Sequence, residues 1–315
     1  MLNNALRTVL LQMAKSHRLR DVLEGAPVSR QVVRRFVAGA EVADAVTTAA
    51  DLVAEGLSVT IDHLGEDTMD RAQASATTGA YLKLIEQLSD AGLTEGGRAE
   101  VSVKLSAVGQ ALGADGPSLA TENARVICEA AERAGTTVTL DMEDHTTTDL
   151  TLQTLRDLRT DFPWVGAVLQ SYLRRTEGDC RDLAGVGSRV RLCKGAYAEP
   201  ESVAFQGKAE VDRSYVRCLK VLMAGQGYPM VASHDPRLID IAGALAVKYG
   251  RAPGTYEYQM LFGIRPDEQK RLVRVGEVVR VYLPYGQEWY GYLMRRMAER
   301  PANTAFFLRA LATRG

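Results

Sequence analysis

The candidate catalytic and binding residues of this chain are concentrated at the ends of short segments rich in β-branched residues. Each segment closes with polar or ionic groups, and together these are Asp62, Lys104, Asp141, Glu143, Gln170, Arg191, Lys194, Ser233, His234, Glu257, Gln259 and Tyr282. Charged groups beside a packed core cost free energy of desolvation unless they are paired. Eight successive polar ends therefore favour a functional site, although any one of them, such as Asp141, could equally be structural.

A second group of reactive side chains lies near the C-terminus, in the segment YLMRRMAER. Tyr292, Arg295 and Arg296 are spaced i, i+3 and i+4, so a helix would place them on one face. Guanidinium groups stay charged at any relevant pH and donate paired hydrogen bonds to a carboxylate. The spacing favours a carboxylate clamp, and a solvated basic patch is the alternative explanation.

Predicted strands and helices alternate regularly along the chain. The β-branched segments predict strands at 57–61, 100–104, 136–141, 165–170, 189–193, 230–233, 254–258 and 279–283. Amphipathic stretches such as 71–93, 118–134 and 208–224 lie between them, with Gly or Pro at the joins. This alternation is typical of parallel βαβ units. Eight units within about 260 residues match a (β/α)8 TIM-like barrel better than an open sheet with a second domain.

We therefore predict an α/β chain with one domain, in which a helical leader, 1–50, packs on a barrel formed by 51–315. Catalytic groups of such barrels lie at the carboxyl ends of the strands, where the polar residues of this chain are found. Lys104 and Lys194 leave open a Schiff-base mechanism of the aldolase type. A catalytically inactive barrel that serves as a binding module is the third alternative.

Composition limits the partners. The chain has 315 residues, of which 46% are hydrophobic and 24% charged, and its 38 Lys and Arg nearly balance 39 Asp and Glu. The resulting net charge of −1 gives no electrostatic case for nucleic-acid binding. We find no GxGxxG after a strand and no Walker motif, and the four histidines lack ligand spacing, so we expect no metal site.

The sequence also bears on location. The four cysteines show no CxxC spacing, and the first 20 residues are interrupted by Asn, Arg and Lys, unlike a secretory signal. We therefore expect a cytoplasmic protein. Residues 1–40 contain seven Lys or Arg, which is compatible with either a solvated helical face or peripheral contact with the inner face of a membrane.

Seven motifs, taken together and in order, resemble those of the proline dehydrogenase family, including the corresponding domain of bifunctional proline utilisation proteins. They are DHLGE, VSVKLSA, LDMED, RLCKGAY, VASHD, YEYQMLFGI and YLMRRMAERPANTAF. The resemblance spans about residues 61–307 and outweighs the Schiff-base alternative. It implies a distorted (β/α)8 barrel that holds FAD non-covalently at its mouth without a Rossmann domain, with the last helix shifted to cover the substrate.

The resemblance also implies roles for the substrate-binding residues. Arg295, Arg296 and Lys104 would bind the carboxylate of L-proline, while Tyr282 and Tyr292 would pack around its ring. The pocket walls and gate would be formed by Leu261, Tyr197 and Glu66. The large side chain of Tyr282 predicts a preference for proline over 4-hydroxyproline.

For the cofactor, the resemblance implies two catalytic residues, with Arg191 beside flavin N5 and Asp141 near the isoalloxazine ring. The remaining flavin contacts would be Met142, Gln170, Lys194, Gly195, Ala196, Ser233 and His234. Ser233 replaces the Thr usual in the family but retains a hydroxyl group. The segment between Tyr282 and Tyr292 is shorter than in the bifunctional relatives, which could change how the pocket closes.

The implied reaction is hydride transfer from C5 of proline to flavin N5, which gives 1-pyrroline-5-carboxylate. This is the first step of proline degradation to glutamate. The electrons would pass to a membrane quinone, and a separate pyrroline-5-carboxylate dehydrogenase would carry out the next oxidation.

Overall fold

A closed barrel of parallel strands forms the centre of the molecule. The computed structural model describes residues 33–65 and 68–299, and only the backbone of residues 295–299. Within those ranges eight strands pair in sequence order, and β8 closes on β1. The strands are β1 (Ser58–His63), β2 (Ala99–Val103), β3 (Val138–Leu140), β4 (Gly166–Gln170), β5 (Arg189–Cys193), β6 (Tyr228–Ala232), β7 (Glu257–Leu261) and β8 (Val279–Tyr285). The predicted barrel is confirmed.

Helices precede, connect and follow these strands. They are α1 (Val42–Ala54), α2 (Arg71–Asp90), α3 (Gly116–Arg133), α4 (Thr148–Arg159), α5 (Thr176–Asp182), α6 (Lys208–Ala224), α7 (Pro236–Lys248), α8 (Pro266–Arg274) and α9 (Trp289–Glu299). Asp70 caps α2 by accepting from the N–H of Gln73, and Pro236 and Pro266 stand in the first turns of α7 and α8. No helix in the described ranges combines the length and apolarity needed to cross a membrane.

The apolar core lies between the barrel and the helices. Successive strand residues point to opposite faces, and those that point outward are aliphatic. On β1 and β8, for example, Val59, Ile61 and Leu283 are completely buried. Tyr81 of α2 packs in the same cluster and donates to the backbone oxygen of Ser102 at 2.7 Å, which anchors the helix to β2.

The inside of the barrel is ionic at its amino end, where TIM barrels usually have layers of branched aliphatic residues. Glu100 Oε2 accepts from Arg189 Nη2 at 2.6 Å, and Glu257 Oε1 accepts from Arg280 Nε at 2.9 Å. Burial alone would raise the pKa of Glu100, but Arg189, Arg280 and Arg191 together lower it below its usual range. Paired charges therefore form the floor of the barrel.

Strand β7 begins three residues later than predicted. Thr255 still bonds to the backbone oxygen of Ala252 through both its N–H and its hydroxyl, so the chain is turning where the pattern predicted a strand. As a result Glu257 is the first residue of the strand and lies at the floor. The expectation that Glu257 closes this strand at the mouth is therefore wrong.

Helices α1 and α9 depart from the arrangement of a regular barrel. Helix α1 packs against β1 and β8 through Ala45 and Ala49, where the last helix of a regular barrel would lie. Helix α9 instead joins a separate apolar cluster with Phe36, Leu64 and Ile264. Leu64 and Ile264 follow β1 and β7, so this cluster lies at the carboxyl end of the barrel and α9 covers its mouth.

Candidate active site at the mouth of the barrel

Asp141, directly after β3, is the point at which several predicted side chains converge. Its Oδ1 atom accepts hydrogen bonds from Arg191 Nη1 and Ser102 Oγ, each at 2.7 Å. Its Oδ2 atom accepts from the Tyr282 hydroxyl at 2.6 Å and lies 3.8 Å from Lys104 Nζ. Three other predicted residues, Arg191, Tyr282 and Lys104, thus meet around this carboxylate, and each comes from a different part of the barrel.

A second carboxylate holds Lys104. The ammonium donates to Asp62 Oδ2 at 2.6 Å, and both side chains are buried. Burial, the largest effect, raises the pKa of Asp62 to about 6, although Lys104 acts in the opposite direction. The Oδ1 atom of Asp62 is also buried and accepts no hydrogen bond from the described residues. The mouth therefore contains a cation beside a buried carboxyl group that holds a proton more readily than an ordinary aspartate.

The guanidinium of Arg191 lies inside the barrel, at the middle of β5. Its Nε atom donates to Gln259 Oε1 at 2.5 Å, and its Cζ lies 5.1 Å from the centre of the Tyr282 ring. Its Nη2 atom lies 3.8 Å from Glu100 Oε1 and has no hydrogen-bond partner in the described part of the chain. A guanidinium held in this way provides fixed positive charge in a site shielded from water.

Gln170 and Met142 are buried at the carboxyl ends of β4 and β3. The Gln170 amide donates to the backbone oxygen of Glu143 at 2.6 Å, which links the two strand ends. The side chain of Glu143 accepts from the Ser106 N–H at 3.1 Å and from its hydroxyl at 2.5 Å. Three neighbouring loops are thereby tied together beside Asp141.

The loop after β5 carries four predicted residues, all of them half-buried: Lys194, Gly195, Ala196 and Tyr197. The ammonium of Lys194 donates to Asp212 Oδ1 at 2.6 Å and to Asp235 Oδ2 at 3.3 Å. These carboxylates lie at the amino-terminal ends of α6 and α7. The ion pairs fix the lysine at the rim between β5 and β6.

Gly195 is required by the shape of this loop. Its φ of +108° is a conformation that L side chains rarely adopt, and an added Cβ would lie 2.3 Å from ring carbons of Tyr172. The N–H of Tyr172 also donates to the backbone oxygen of Lys194 at 2.9 Å. The loop backbone is therefore held against an aromatic ring, with no room for a side chain.

Ser233 and His234 follow β6 at the same rim. Ser233 Oγ accepts from the Asp235 N–H at 3.2 Å, and His234 Nε2 accepts from the Leu261 N–H at 2.9 Å. Because a backbone N–H can only donate, Nε2 carries no proton, and neutral His234 has its proton on Nδ1. The imidazole thus connects the ends of β6 and β7 and sets the position of Leu261.

The cover of the mouth includes Tyr292, which is 5% exposed and packs in the α9 cluster with partly buried Leu261 beside it. Arg295 and Arg296 belong to α9, but their side chains lie outside the described residues, and so does Glu66. The predicted carboxylate clamp and its gate therefore stay predictions.

Ser102 was not among the predicted residues, and Gln259 was predicted only as a polar strand end. Ser102 bridges Asp141 and Arg191, whose Nη1 donates to its hydroxyl at 3.1 Å, and Gln259 bonds Arg191 Nε. The pattern that could have revealed Ser102 is strict alternation along β2, because Glu100, Ser102 and Lys104 are spaced by two and all face inward.

A closed parallel barrel with buried ionic side chains at its mouth defines an enzyme of the (β/α)8 class. The sequence model of the family described as "Proline dehydrogenase" matches residues 45–309. The chain belongs to the proline dehydrogenase family.

Relatives with this description span nearly the whole chain. The chain is 41% identical over 282 residues to "Proline dehydrogenase" of Deinococcus radiodurans, covering 89% of this chain and 90% of the relative. It is 38% identical over 283 residues to "Proline dehydrogenase 2" of Bacillus subtilis strain 168, covering 90% and 91%. A crystal structure of proline utilization A from Bdellovibrio bacteriovorus, inactivated by N-propargylglycine, is similar with a TM-score of 0.79 and 25% identity. That similarity covers 90% of this chain and 34% of the larger protein.

Proposed function

We propose that this protein catalyses the oxidation of L-proline to 1-pyrroline-5-carboxylate with non-covalently bound FAD, as the first step of proline degradation. The observation that carries the proposal is the convergence of Arg191, Tyr282 and Lys104 on Asp141 at the mouth of a barrel of this family. When bound, the flavin supplies two-electron acceptor chemistry for the hydride that leaves C5 of proline.

The residues present fit a flavin. Arg191 has a buried Nη2 donor without a hydrogen-bond partner in the described ranges, and such groups in a folded protein normally have one. Gly195 adopts a backbone conformation that L side chains rarely adopt, and it thereby sets the course of the loop that carries Lys194 and Ala196. Lys194 brings positive charge to the same loop, although Asp212 and Asp235 share it. These are the features needed beside an electron-accepting ring and along a phosphate chain.

The chain's own residues would divide the binding work by position. Arg191 would lie at the N5 edge of the flavin, with Asp141, Met142 and Gln170 near the ring system. The ribityl, pyrophosphate and adenosine portions would be held by Lys194, Gly195, Ala196, Ser233 and His234. A fixed guanidinium near N5 would stabilise the negative charge that reduction adds to the flavin.

The substrate would be bound by cations and aromatic rings. Lys104 would bind the carboxylate together with Arg295 and Arg296, and Glu66 would act as a gate by pairing with Arg295. The proline ring would be enclosed by Tyr282, Tyr292, Leu261 and Tyr197. Closure by α9 would exclude water, which strengthens each charged contact.

Two further partners follow from the reaction. The electrons would leave on a quinone, so the protein would make peripheral contact with a membrane surface. The product would be oxidised further by a separate pyrroline-5-carboxylate dehydrogenase.

A Schiff-base mechanism is disfavoured by the ion pairs of both candidate lysines. Lys104 is paired with Asp62 at 2.6 Å, and Lys194 is paired with Asp212 at 2.6 Å. A lysine that attacks a carbonyl group must offer the lone pair of a neutral amine, whereas these side chains are engaged as ammonium groups.

The test is the visible spectrum of the purified protein during anaerobic addition of proline. We expect a yellow protein whose flavin bands are bleached by proline. A colourless protein that resists reconstitution with FAD, or flavin bands indifferent to proline, would overturn the proposal. Trapping of a keto acid by borohydride would instead support Schiff-base chemistry.

A further inference from the structure

Gln259, at the centre of β7, joins the mouth of the barrel to its floor. The side chain is 3% exposed. Its Oε1 atom accepts from Arg191 Nε at 2.5 Å, and its Nε2 atom donates to Glu257 Oε1 at 2.6 Å. The amide therefore stands between a cation predicted to contact flavin and an ion pair at the floor.

The direction of this amide is fixed by the chemistry of its neighbours. A guanidinium can only donate hydrogen bonds and an ionised carboxylate can only accept them. A flipped amide would place its NH2 group against Arg191 and its oxygen against Glu257, so both contacts would be repulsive. Only the observed orientation satisfies both partners.

Glu257 is itself immobilised. Its Oε1 atom also accepts from Arg280 Nε at 2.9 Å, and its Oε2 atom accepts from the Tyr228 hydroxyl at 3.2 Å. Arg280 is anchored in turn, because its Nη2 and Nη1 atoms donate to the backbone oxygens of Gly97 at 3.0 Å and Val59 at 3.1 Å. The direction of the Gln259 amide thus depends on an ion pair that is hydrogen-bonded to the backbone at the amino end of the barrel.

Arg191 makes its other side-chain hydrogen bonds at a different nitrogen from the one that Gln259 binds. Asp141 and Ser102 both bind Nη1, so they hold one corner of the guanidinium plane. Within the described residues, Gln259 is the hydrogen-bond partner of Nε. Hydrogen bonds at both Nε and Nη1 fix the plane. Without Gln259, hydrogen bonds from the described residues would hold it at Nη1 alone, and the Tyr282 ring and Glu100 would supply only longer contacts.

We propose that Gln259 is a positioning residue that fixes the plane of the Arg191 guanidinium, and that the Glu257–Arg280 ion pair fixes the direction of the Gln259 amide. The inference rests on the proposed function, because it gives Arg191 its task beside the flavin. A neutral amide suits this task since it orients the guanidinium without offsetting its positive charge. A carboxylate at the same position would reduce that charge.

The experiment compares Gln259→Leu and Glu257→Gln with the parent, and Tyr228→Phe is the matched control. Tyr228→Phe removes the hydrogen bond that Glu257 Oε2 accepts. It leaves intact the hydrogen bond that Glu257 Oε1 accepts from the Gln259 amide. The readout is the two-electron reduction potential of the bound flavin, measured by chemical reduction against a reference dye. This measurement needs no proline, so it remains informative even if the proposed reaction is wrong.

For Gln259→Leu we expect the equilibrium constant for flavin reduction to fall about tenfold, which corresponds to about 30 mV for a two-electron couple. Glu257→Gln should also lower the potential, because a glutamine at this position can both donate and accept and no longer fixes the orientation of the Gln259 amide. Tyr228→Phe should keep the parent potential. With proline, kcat should fall in the first two variants while the KM stays close to that of the parent.

Two results would overturn the inference. One is a parent-like potential in flavin-loaded Gln259→Leu. The other is an equal shift in Tyr228→Phe, which would mean that any disturbance of the floor has the same effect. If Gln259→Leu does not fold, Glu257→Gln decides, since it preserves side-chain volume, and a parent-like potential in that variant would equally contradict the proposal. A parent that binds flavin but does not react with proline would refute the proposed function alone.

Discussion

The hydroxyl of Tyr282 donates a hydrogen bond to Oδ2 of Asp141 at 2.6 Å, across the mouth from β8 to the end of β3. The same ring faces Arg191, whose Cζ lies 5.1 Å from its centre. Tyr282 is therefore held at its hydroxyl end and along its face, and the ring cannot swing aside without breaking both contacts. If the substrate binds beside this ring as proposed, a ring fixed in this way would limit the size of the substrate.

Substrate choice is expected to depend on the Tyr282 ring. The parent should favour proline over 4-hydroxyproline by about tenfold or more in kcat/KM, since an unaccommodated hydroxyl costs ~1 to 3 kcal/mol. Tyr282→Ser should narrow this ratio, mainly by weakening proline binding and secondarily by making room. The measurement compares kcat/KM for both substrates with one artificial acceptor.

Tyr282→Phe separates the ring from its hydroxyl. It retains the aromatic bulk but loses the hydrogen bond to Asp141, so the substrate ratio should stay near that of the parent. Equal efficiencies in the parent, or a ratio unchanged in Tyr282→Ser, would show that this residue does not determine the choice.

Arg191→Met should retain the barrel fold but lower both the rate of flavin reduction and the flavin potential. The physical reason is the loss of a positive partner for the reduced, negatively charged flavin, a type of contribution that is commonly worth tenfold or more in rate. Anaerobic stopped-flow reduction and a potential titration measure the two quantities. If the variant has the reduction rate and the potential of the parent, Arg191 does not lie at the N5 edge.

Arg295→Met and Arg296→Met should raise the KM for proline far more than they reduce FAD content. A charged hydrogen bond to a carboxylate contributes ~1.5 to 3 kcal/mol, or roughly tenfold to over a hundredfold in affinity. Steady-state kinetics together with flavin absorbance measure both effects. Glu66→Ala tests the gate in the same assay, and normal proline binding and turnover in that variant would count against the pairing with Arg295.

Gly195→Ala should lower the free energy of unfolding by about 1 to 3 kcal/mol and weaken flavin binding, because the substitution adds backbone strain. It also brings a methyl group to 2.3 Å from the Tyr172 ring. Gly178→Ala is the matched control, since a Cβ there meets nothing within 4 Å. Urea unfolding and flavin titration of both variants are the measurements. Equal behaviour of the two would contradict a close fit of the loop.

The pH dependence of stability should include a contribution from His63. Burial, followed by the charge of Lys104, lowers the pKa of this imidazole below its usual 6.5. The folded state then binds a proton less readily than the unfolded state, so stability is present above pH 6.5 and is lost as the pH falls. Between pH 8 and pH 5 the free energy of unfolding should decrease more for the parent than for His63→Leu. Parallel urea-unfolding curves across this range would exclude the contribution.

Local sequence patterns were sufficient to predict the architecture and several of the side chains at the mouth. Strand spacing and the alternation of apolar with polar residues are local properties, so β5 was predicted at its observed bounds and helix α6 likewise. Four residues were predicted for the mouth because each follows or lies within a predicted strand, and parallel strands all end at the same face of the barrel. They are Asp141, Arg191, Lys104 and Tyr282.

The contacts between these side chains could not be predicted from the sequence. Neighbours across a closed barrel are set by strand register and shear, which no single segment encodes. Asp141 therefore emerged as the common acceptor only in three dimensions, and Gln259 acquired a partner 68 positions away in sequence. Glu257 moved from the expected mouth to the floor because the turn at Thr255 delays β7, and a local pattern of β-branched residues does not report where a turn ends. The buried charges of the floor pair across strands distant in sequence, and that pairing is what makes their burial stable.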